Sequence, residues 1–476
     1  MKKNGLYQSY FQAACVVMAG IALTACATTT PEAAKSLQQA GLWTDAERAA
    51  RYDIDEAWWF IYQDKQLNQL IETALANNTD LKKTVISLTR SAYALQEARQ
   101  SLFPELRGDA SISDGISKNL KSGEAHTRTA SSSLNLGVSY EVDLWQKVRA
   151  GSDAAAWDYA ANEQDVQAAR LALIHQVIDS YFHLAYAEAV LPLNQEVLVR
   201  QQELARIAAA QYRHGKISVI DEVNARQSLL AVQDTIHSLT ASRDTLKQNL
   251  RNLLNLRPGE DPTLQAIDLN QIASSDIDLD VPLAVLANRP DIRASEYRLQ
   301  QAFASQRVAR RSWLPTLSLR AAINATSERA GSYFSLPLGV VNATVGLPFL
   351  DWKSLYWQNK RAEADFQAAL VDFEKTLTTA LNEVDGYDRQ YRTAQATLNN
   401  AERKYGYDRE NTRYHDARYR HGAAPLSDLL SAQNGELASA QAVLNARYHL
   451  LQSENLIYRA MAGRYRVKST QNPSSP

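Results

Sequence analysis

The chain has 476 residues, 51 basic against 52 acidic side chains and a formal net charge of −1, which leaves no electrostatic footprint for nucleic acid, and no nucleic-acid partner is expected. Its two cysteines, Cys15 and Cys26, are too few for a disulfide framework once the first is removed with a leader. No apolar run reaches the roughly 18 to 20 residues that a membrane-spanning helix needs, so a passage through a bilayer would have to be a β-barrel.

Residues 1–25 carry the three parts of a secretory signal peptide: Lys2 and Lys3, an apolar stretch from Ala13 to Leu23, and small residues ahead of Cys26. The run Leu23-Thr24-Ala25-Cys26 resembles a bacterial lipobox, in which the cysteine becomes the first mature residue and carries palmitate-type acyl chains. Several chains anchor stably where one is marginal, so Cys26 is the expected lipidation site. Ala27 stands where an Asp would favour retention at the inner membrane, which directs the expectation to the outer membrane. Residues 26–65 read as a lipid-anchored tether, rich in Ala, Thr and Gln to about Asp53.

From Gln66 to Leu102, Leu67, Leu70, Ile71 and Leu75, then Leu81, Val85, Leu88, Ala92 and Leu95, recur at three-and-four spacing and predict one helix, stopped at Pro104. The period then changes to two. Leu106, Gly108, Ala110 and Ile112 alternate with Arg107, Asp109, Ser111 and Ser113; Leu134, Leu136, Val138, Tyr140 and Val142 alternate with polar neighbours from Ser133 onward. Asp114–Ala130 between them reads as an exposed hairpin loop. A second such pair runs from Leu317 to Thr326 and from Val341 to Leu347. Alternation alone is compatible with a soluble sheet, but there are no further strands to complete one. A transmembrane barrel needs eight or more strands and no free edge. Three chains of four strands would supply twelve, and a homotrimer sharing one barrel is expected.

The helices that follow the strand pairs are very long, Lys147 to Tyr212 and Trp352 to Tyr419, about 100 Å each at 1.5 Å per residue. Pro192 lies inside the first and predicts a kink or local break. Each ends in the same turn, Tyr212-Arg213-His214-Gly215 and Tyr419-Arg420-His421-Gly422, because a Gly past a helical run accepts the left-handed cap conformation. Shorter helices, Val219 to Leu254 and Leu426 to Met461, return from these tips. The helix 66–102 is expected to stack end-on with the first return helix, and Pro290 to Trp313 with the second. The expected division is therefore a first repeat over 66–256, a linker or equatorial segment over 257–287, a second repeat over 288–463 and a disordered tail over 464–476.

His214 and His421 have neither a set of convergent ligands nor a nucleophile and orienting partner in the pattern, so no metal, catalytic or cofactor site is expected. Asp221 and Asp428 each lie six residues past a tip Gly, where an acid also suits the positive end of a helix. The exposed small and apolar tip residues Gly215, Ile217, Gly422, Ala423 and Pro425 suit either plain turn chemistry or docking of a partner hairpin.

The run Tyr140-Glu141-Val142-Asp143-Leu144-Trp145-Gln146-Lys147-Val148-Arg149 resembles the strand-to-helix junction of TolC/OprM-like outer-membrane efflux proteins, in the NodT-type lipoprotein branch. Trp58-Trp59, Asn288-Arg289-Pro290-Asp291-Ile292 and Leu314-Pro315-Thr316-Leu317 agree in order and spacing across nearly the whole mature chain. The resemblance implies a mixed, mainly α fold: a trimeric twelve-stranded outer-membrane barrel continued by a long periplasmic α-helical barrel with internal duplication. It implies a passive exit duct for small molecules such as drugs, fed by an inner-membrane pump and a periplasmic adaptor and embedded in outer-membrane lipid, with no enzymatic activity. By position it also implies a periplasmic gate in which Asp221 links to Tyr419 and Asp428 belongs to a constriction ring. Ser431 replaces a second acidic ring residue, and Ala424 stands where some members have a linking Arg, a charge that Arg420 would supply. The second hairpin is expected to do most of the moving. The rival reading is a structural or adaptor coiled-coil lipoprotein of the periplasm, which would not carry barrel strands twice.

Overall fold

Each half of the chain folds as an antiparallel strand pair, a long helix and a return helix, preceded by two helices in the first half and one in the second. The computed structural model describes residues 52–55, 57–117, 127–260, 264–265, 268–273, 283–327 and 337–467; Cys26 and the leader lie outside them. The elements are β1 (Tyr52–Asp55), a 3-10 turn (Trp58–Tyr62), α1 (Lys65–Asn77), α2 (Thr79–Gln100), β2 (Glu105–Ser117), β3 (Thr127–Val142), α3 (Lys147–Arg213) and α4 (Val219–Leu254) in the first half. The second half has α5 (Pro290–Arg311), β4 (Thr316–Ser327), β5 (Pro337–Gly346), α6 (Trp352–Arg420), α7 (Leu426–Ala460) and β6 (Arg464–Val467).

The long hairpins pack by a heptad rule. On α4, the positions that turn away from solvent are Glu222, Ala225, Leu229, Val232, Ile236, Leu239, Arg243, Leu246 and Leu250, three and four apart, and they face α3. On the lower half of α6 the same spacing runs through Tyr391, Ala394, Leu398, Ala401, Tyr405, Asp408, Thr412 and His415 towards α7. A repeat of 3.5 keeps one seam facing the partner over many turns and winds the pair left-handed. At mid-height a belt core closes around Trp58, Tyr62, Ile71, Ile178, Phe182 and Leu250, all nearly solvent-free. Of these, Ile71, Ile178, Phe182 and Leu250 each contribute about 1.5–3 kcal/mol by leaving water.

The expected single helix over 66–102 is two. Asn78 interrupts it: its carboxamide oxygen accepts from the Asp80 and Leu81 backbone N–H groups at 3.0 Å and starts α2, while its Nδ2 donates to the Leu253 carbonyl at 3.0 Å. Only α2 therefore continues the line of α4, and α1 turns aside into the belt. The second half repeats the joint with a different residue. Arg289, at the N-cap of α5, donates from Nη1 to the Ala460 carbonyl at the end of α7 at 2.8 Å. Both stacks are thus hooked by the first residue of the upper helix onto a late carbonyl of the lower one, a group that the helix itself leaves unpaired.

Four other expectations change. The helix continues through Pro192 without a break; the proline is exposed, so water can meet the carbonyl that its missing N–H leaves free. The presumed hairpin loop 114–130 is shorter, since β2 runs on to Ser117 and β3 starts at Thr127. Arg464–Val467 is not a disordered tail but a strand that pairs antiparallel with β1, Tyr52 opposite Val467. The segment ahead of residue 65 is not all tether, because Trp58, Trp59 and Tyr62 are in the belt core. The linker also docks there: Leu269 and Ile272 are buried, and Arg447 Nη2 donates to the Ile272 carbonyl at 2.8 Å.

Candidate functional site

In the sheet, β2–β3–β4–β5 pair antiparallel in that order. Their register carries the period-two pattern of each strand across all four. Leu106 lies opposite Val138, Val138 opposite Ala321, and Ala321 opposite Val341; the next rung on the same face is Gly108, Leu136, Ile323 and Gly339. The alternate rungs read Glu105, Ser139, Arg320, Asn342 and Asp109, Asn135, Asn324, Leu338. One face is therefore aliphatic and the other mostly polar. The polar rows are tied by Ser111–Ser133 and Ser113–Ser131 contacts of 2.8 Å and by Asn135 Nδ2 donating to Asp109 at 2.7 Å. Among the described residues nothing covers the aliphatic face: Leu106 is 75% and Val341 85% exposed. An apolar face this large, without protein on it, is a surface made for another medium.

Asp143 couples the sheet to the tunnel helices. Its carboxylate accepts from the Val148 and Arg149 backbone N–H groups at 3.0 and 2.8 Å, capping the first turn of α3. Gln146 takes a left-handed φ of 57° to make the corner. Trp145 Nε1 donates to the Pro315 carbonyl at 2.7 Å, and Arg311 donates to the Gln146 carbonyl at 2.7 Å, so the two repeats are bolted together where strands become helices.

At the far end the two tips have the same backbone. Gly215 and Gly422 have φ of 68° and 66°. Lys216 N–H donates to the Gln211 carbonyl and Gly215 N–H to Tyr212, and Ala423 and Gly422 do the same to Arg418 and Tyr419, all at 2.8–2.9 Å. These are paired Schellman closures, with His214 and His421 as exposed C-cap residues. Gly215, Gly422, Ala423 and Pro425 are exposed, whereas Ile217 is half-buried.

The return helices start differently. Ser218 and Asp221 form a reciprocal capping box, in which the Asp221 carboxylate accepts from Ser218 N–H at 3.1 Å and Ser218 Oγ at 2.9 Å. Pro425 at the equivalent N-cap has no side chain able to cap, and Asp428 accepts only a long 3.4 Å contact from Ser427 Oγ. Arg420 pairs with Asp416 one turn back, at 2.9 Å.

The helices stand in one order at each level: α2, α3, α5, α6 near the sheet and α4, α3, α7, α6 near the tips. Asp221 on α4 and Tyr419 on α6 are therefore on opposite edges of the tip layer, and the chain does not bring them together. The free edges also show residues that sequence reasoning missed. Val223 and Leu230 on α4 are exposed and seven apart; Tyr407 and Tyr414 on α6 are exposed and seven apart, at matching distances from their tips. The signal was present as apolar residues at heptad positions off the seam. Among the described residues no helix is long and apolar enough to cross a membrane, and no cluster of three or more His, Cys, Asp or Glu could hold a metal.

Comparison with known proteins gives the same architecture. The model of the outer membrane efflux protein family matches residues 70–256 and 281–463. Toxin and drug export protein A of Aggregatibacter actinomycetemcomitans is 33% identical over 452 residues, covering 95% of this chain and 98% of that protein. The probable efflux pump outer membrane protein TtgC of Pseudomonas putida is 26% identical over 446 residues, 91% of each chain. Among solved structures, the outer-membrane channel OprN superposes with a TM-score of 0.76 at 26% identity, covering 86% of this chain and 93% of that one.

Proposed function

The chain belongs to the outer membrane efflux protein family, and on that premise we propose that three copies close edge to edge into one duct fed by a periplasmic adaptor and an inner-membrane pump. The protein is an outer-membrane exit duct that extends into the periplasm. The observation that carries the trimer is that, among the described residues, the sheet and the helical layers near it and near the tips are open layers with the same two edges. β2, α2 and α4 are free on one side, and β5 and α6 on the other. The edges differ from each other, so copies join head to tail, and such a contact either closes into a ring or grows without end. Four strands with β5 antiparallel to the next β2 close as twelve, an even number with no edge left in lipid.

Val223 and Leu230 of one copy and Tyr414 and Tyr407 of the next fit as the lower seam. The link between Asp221 and Tyr419 then forms across a subunit boundary. The capping asymmetry supports motion of the second hairpin, since a capping box holds the start of α4 whereas no side chain caps α7 at Pro425, the second tip being tied by Arg418 Nη2 donating to the Ala423 carbonyl at 2.9 Å. The Asp428 ring, the Arg420 charge and the adaptor-contacting tips are part of this reading, as is acylation of Cys26. Cargo would be small molecules such as drugs, the class printed in the name of the Aggregatibacter relative; the protein would conduct them without chemistry of its own. Planar-bilayer recording of the purified protein is the test: discrete conductance steps from an oligomer are expected, and an oligomer that inserts but never conducts would refute the duct.

A further inference from the structure

The second repeat meets the membrane differently from the first. In residues 304–314 and 351–363, the end of α5 and the start of α6, there are six cations (Arg307, Arg310, Arg311, Lys353, Lys360, Arg361) and two acids (Asp351, Glu363). The corresponding windows of the first repeat, 93–103 and 143–155, hold three of each: Arg99, Lys147 and Arg149 against Glu97, Asp143 and Asp153. The first-repeat charges are also largely engaged, with Lys147 paired to Glu141 at 2.8 Å, Asp143 capping α3 and Asp153 taken by Arg307 at 3.0 Å.

In the second repeat Arg307 is taken up by Asp153, Arg311 by the Gln146 carbonyl and Lys360 by Glu363 at 2.9 Å, and Arg310 is close enough to add to the pull that Lys360 exerts on that carboxyl. Lys353 and Arg361 are exposed with no ion pair among the described residues. They stand among exposed indoles: Trp352 is 57% and Trp357 69% exposed, and Lys353 Nζ lies 5.8 Å from the Trp352 ring centroid. All of this is within about three helical turns of the last rung of β4 and β5, continuous with the aliphatic face through exposed Leu347 and Leu350.

We propose that this collar of Trp352, Trp357, Arg310, Lys353, Lys360 and Arg361 binds the phosphate of anionic phospholipid headgroups in the periplasmic leaflet of the outer membrane. The inference rests on the outer-membrane reading above. Indole rings settle at the boundary between acyl chain and headgroup, and long cationic side chains beside them reach the phosphates. Unpaired cations at that depth favour an anionic over a zwitterionic lipid, because the attraction falls off within a Debye length of the surface. Three copies would set three such collars around the duct, each on the α6 side of a subunit boundary.

The test uses full-length, detergent-purified protein, delipidated and then titrated with phosphatidylglycerol or phosphatidylethanolamine while native mass spectrometry counts bound lipids. The wild type should bind phosphatidylglycerol at least tenfold more tightly than phosphatidylethanolamine. The triple variant Arg310→Gln, Lys353→Gln, Arg361→Gln should lose most of that preference while keeping its oligomeric state and its conductance. Equal binding of both lipids by the wild type would overturn the proposal, as would an unchanged preference in the variant. Displacement of the lipid by inorganic phosphate at the same concentration would also overturn it, showing a phosphate site and not a lipid surface. Loss of the oligomer in the variant would assign these residues to the contact between copies, and likewise overturn it. A protein that never inserts into bilayers would instead defeat the duct reading on which the collar rests.

Discussion

Replacing Arg289 by Ala should loosen the joint between the upper and lower tunnel of the second repeat. The guanidinium side chain is 9% exposed; it donates to Asp291 at 3.0 and 2.7 Å, to Glu383 at 2.8 Å and to the Ala460 carbonyl at 2.8 Å. Removing one member of a buried ion pair costs about 3–5 kcal/mol, mostly from the charge left behind. Here Glu383 is 24% and Asp291 43% exposed, so water partly replaces the lost partner and the expectation falls to about 2–4 kcal/mol. Urea unfolding of the detergent-extracted protein, followed by tryptophan fluorescence, measures it, with an unchanged slope showing that stability alone has moved. The acid limb gives a second reading. Burial pushes the Asp291 carboxyl up, but the Arg289 hydrogen bonds and charge outweigh this and hold it below the usual range. A depressed carboxylate stabilises the fold above its unfolded value near pH 4 and loses that contribution as pH falls through the lower folded value. The variant should therefore be less stable at neutral pH and show a flatter decline between about pH 5 and pH 3. A loss below about 0.5 kcal/mol, or an unchanged acid limb, would refute the clamp.

Gly215→Ala and Gly422→Ala should each cost about 1–2 kcal/mol of local stability, because an L-residue is strained at these positive φ values although nothing lies within 4 Å of an added Cβ; hydrogen exchange at the tips should rise similarly for both, and a large difference would contradict the shared backbone closure. Asp221→Ala with Tyr419→Phe should raise single-channel conductance by loosening the closed tip, and an unchanged conductance would show that the pair is not a link. Cys26→Ser should remove the acyl mass from the mature protein by intact mass spectrometry; an acylated variant would place the lipid elsewhere.

Much of this architecture was legible because its signals are periodic. The strands announced themselves by alternation, and the register then showed why it matters: a rung such as Leu106, Val138, Ala321 and Val341 is uniform only when four strands agree. The tips were legible from glycine, whose conformational freedom is local. What was not legible depends on partners distant in sequence. Asn77-Asn78-Thr79-Asp80 is a helix-start signal, but within an unbroken leucine pattern it reads as helix interior, and only the Leu253 carbonyl explains why Asn78 breaks the line. Arg464–Val467 has no strand signal of its own, since its partner lies some four hundred residues away at β1. Pro192 misled because a proline's effect depends on whether water can reach the carbonyl it orphans. The candidate gate was the hardest case: Asp221 and Tyr419 were named by position, but no sequence pattern says that they occupy opposite edges of one chain.

Cross-linking across the seam tests the trimeric duct most directly. In the double variant Val223→Cys, Tyr414→Cys, the new thiols lie on opposite edges of each chain at matching height above the tips. Mild oxidation of the membrane-embedded protein should join copies into a covalent ladder that ends at three chains, with neither single variant giving more than a pair. A membrane-inserted double variant that stays monomeric, or that continues past three, would contradict closure of three copies into one tunnel.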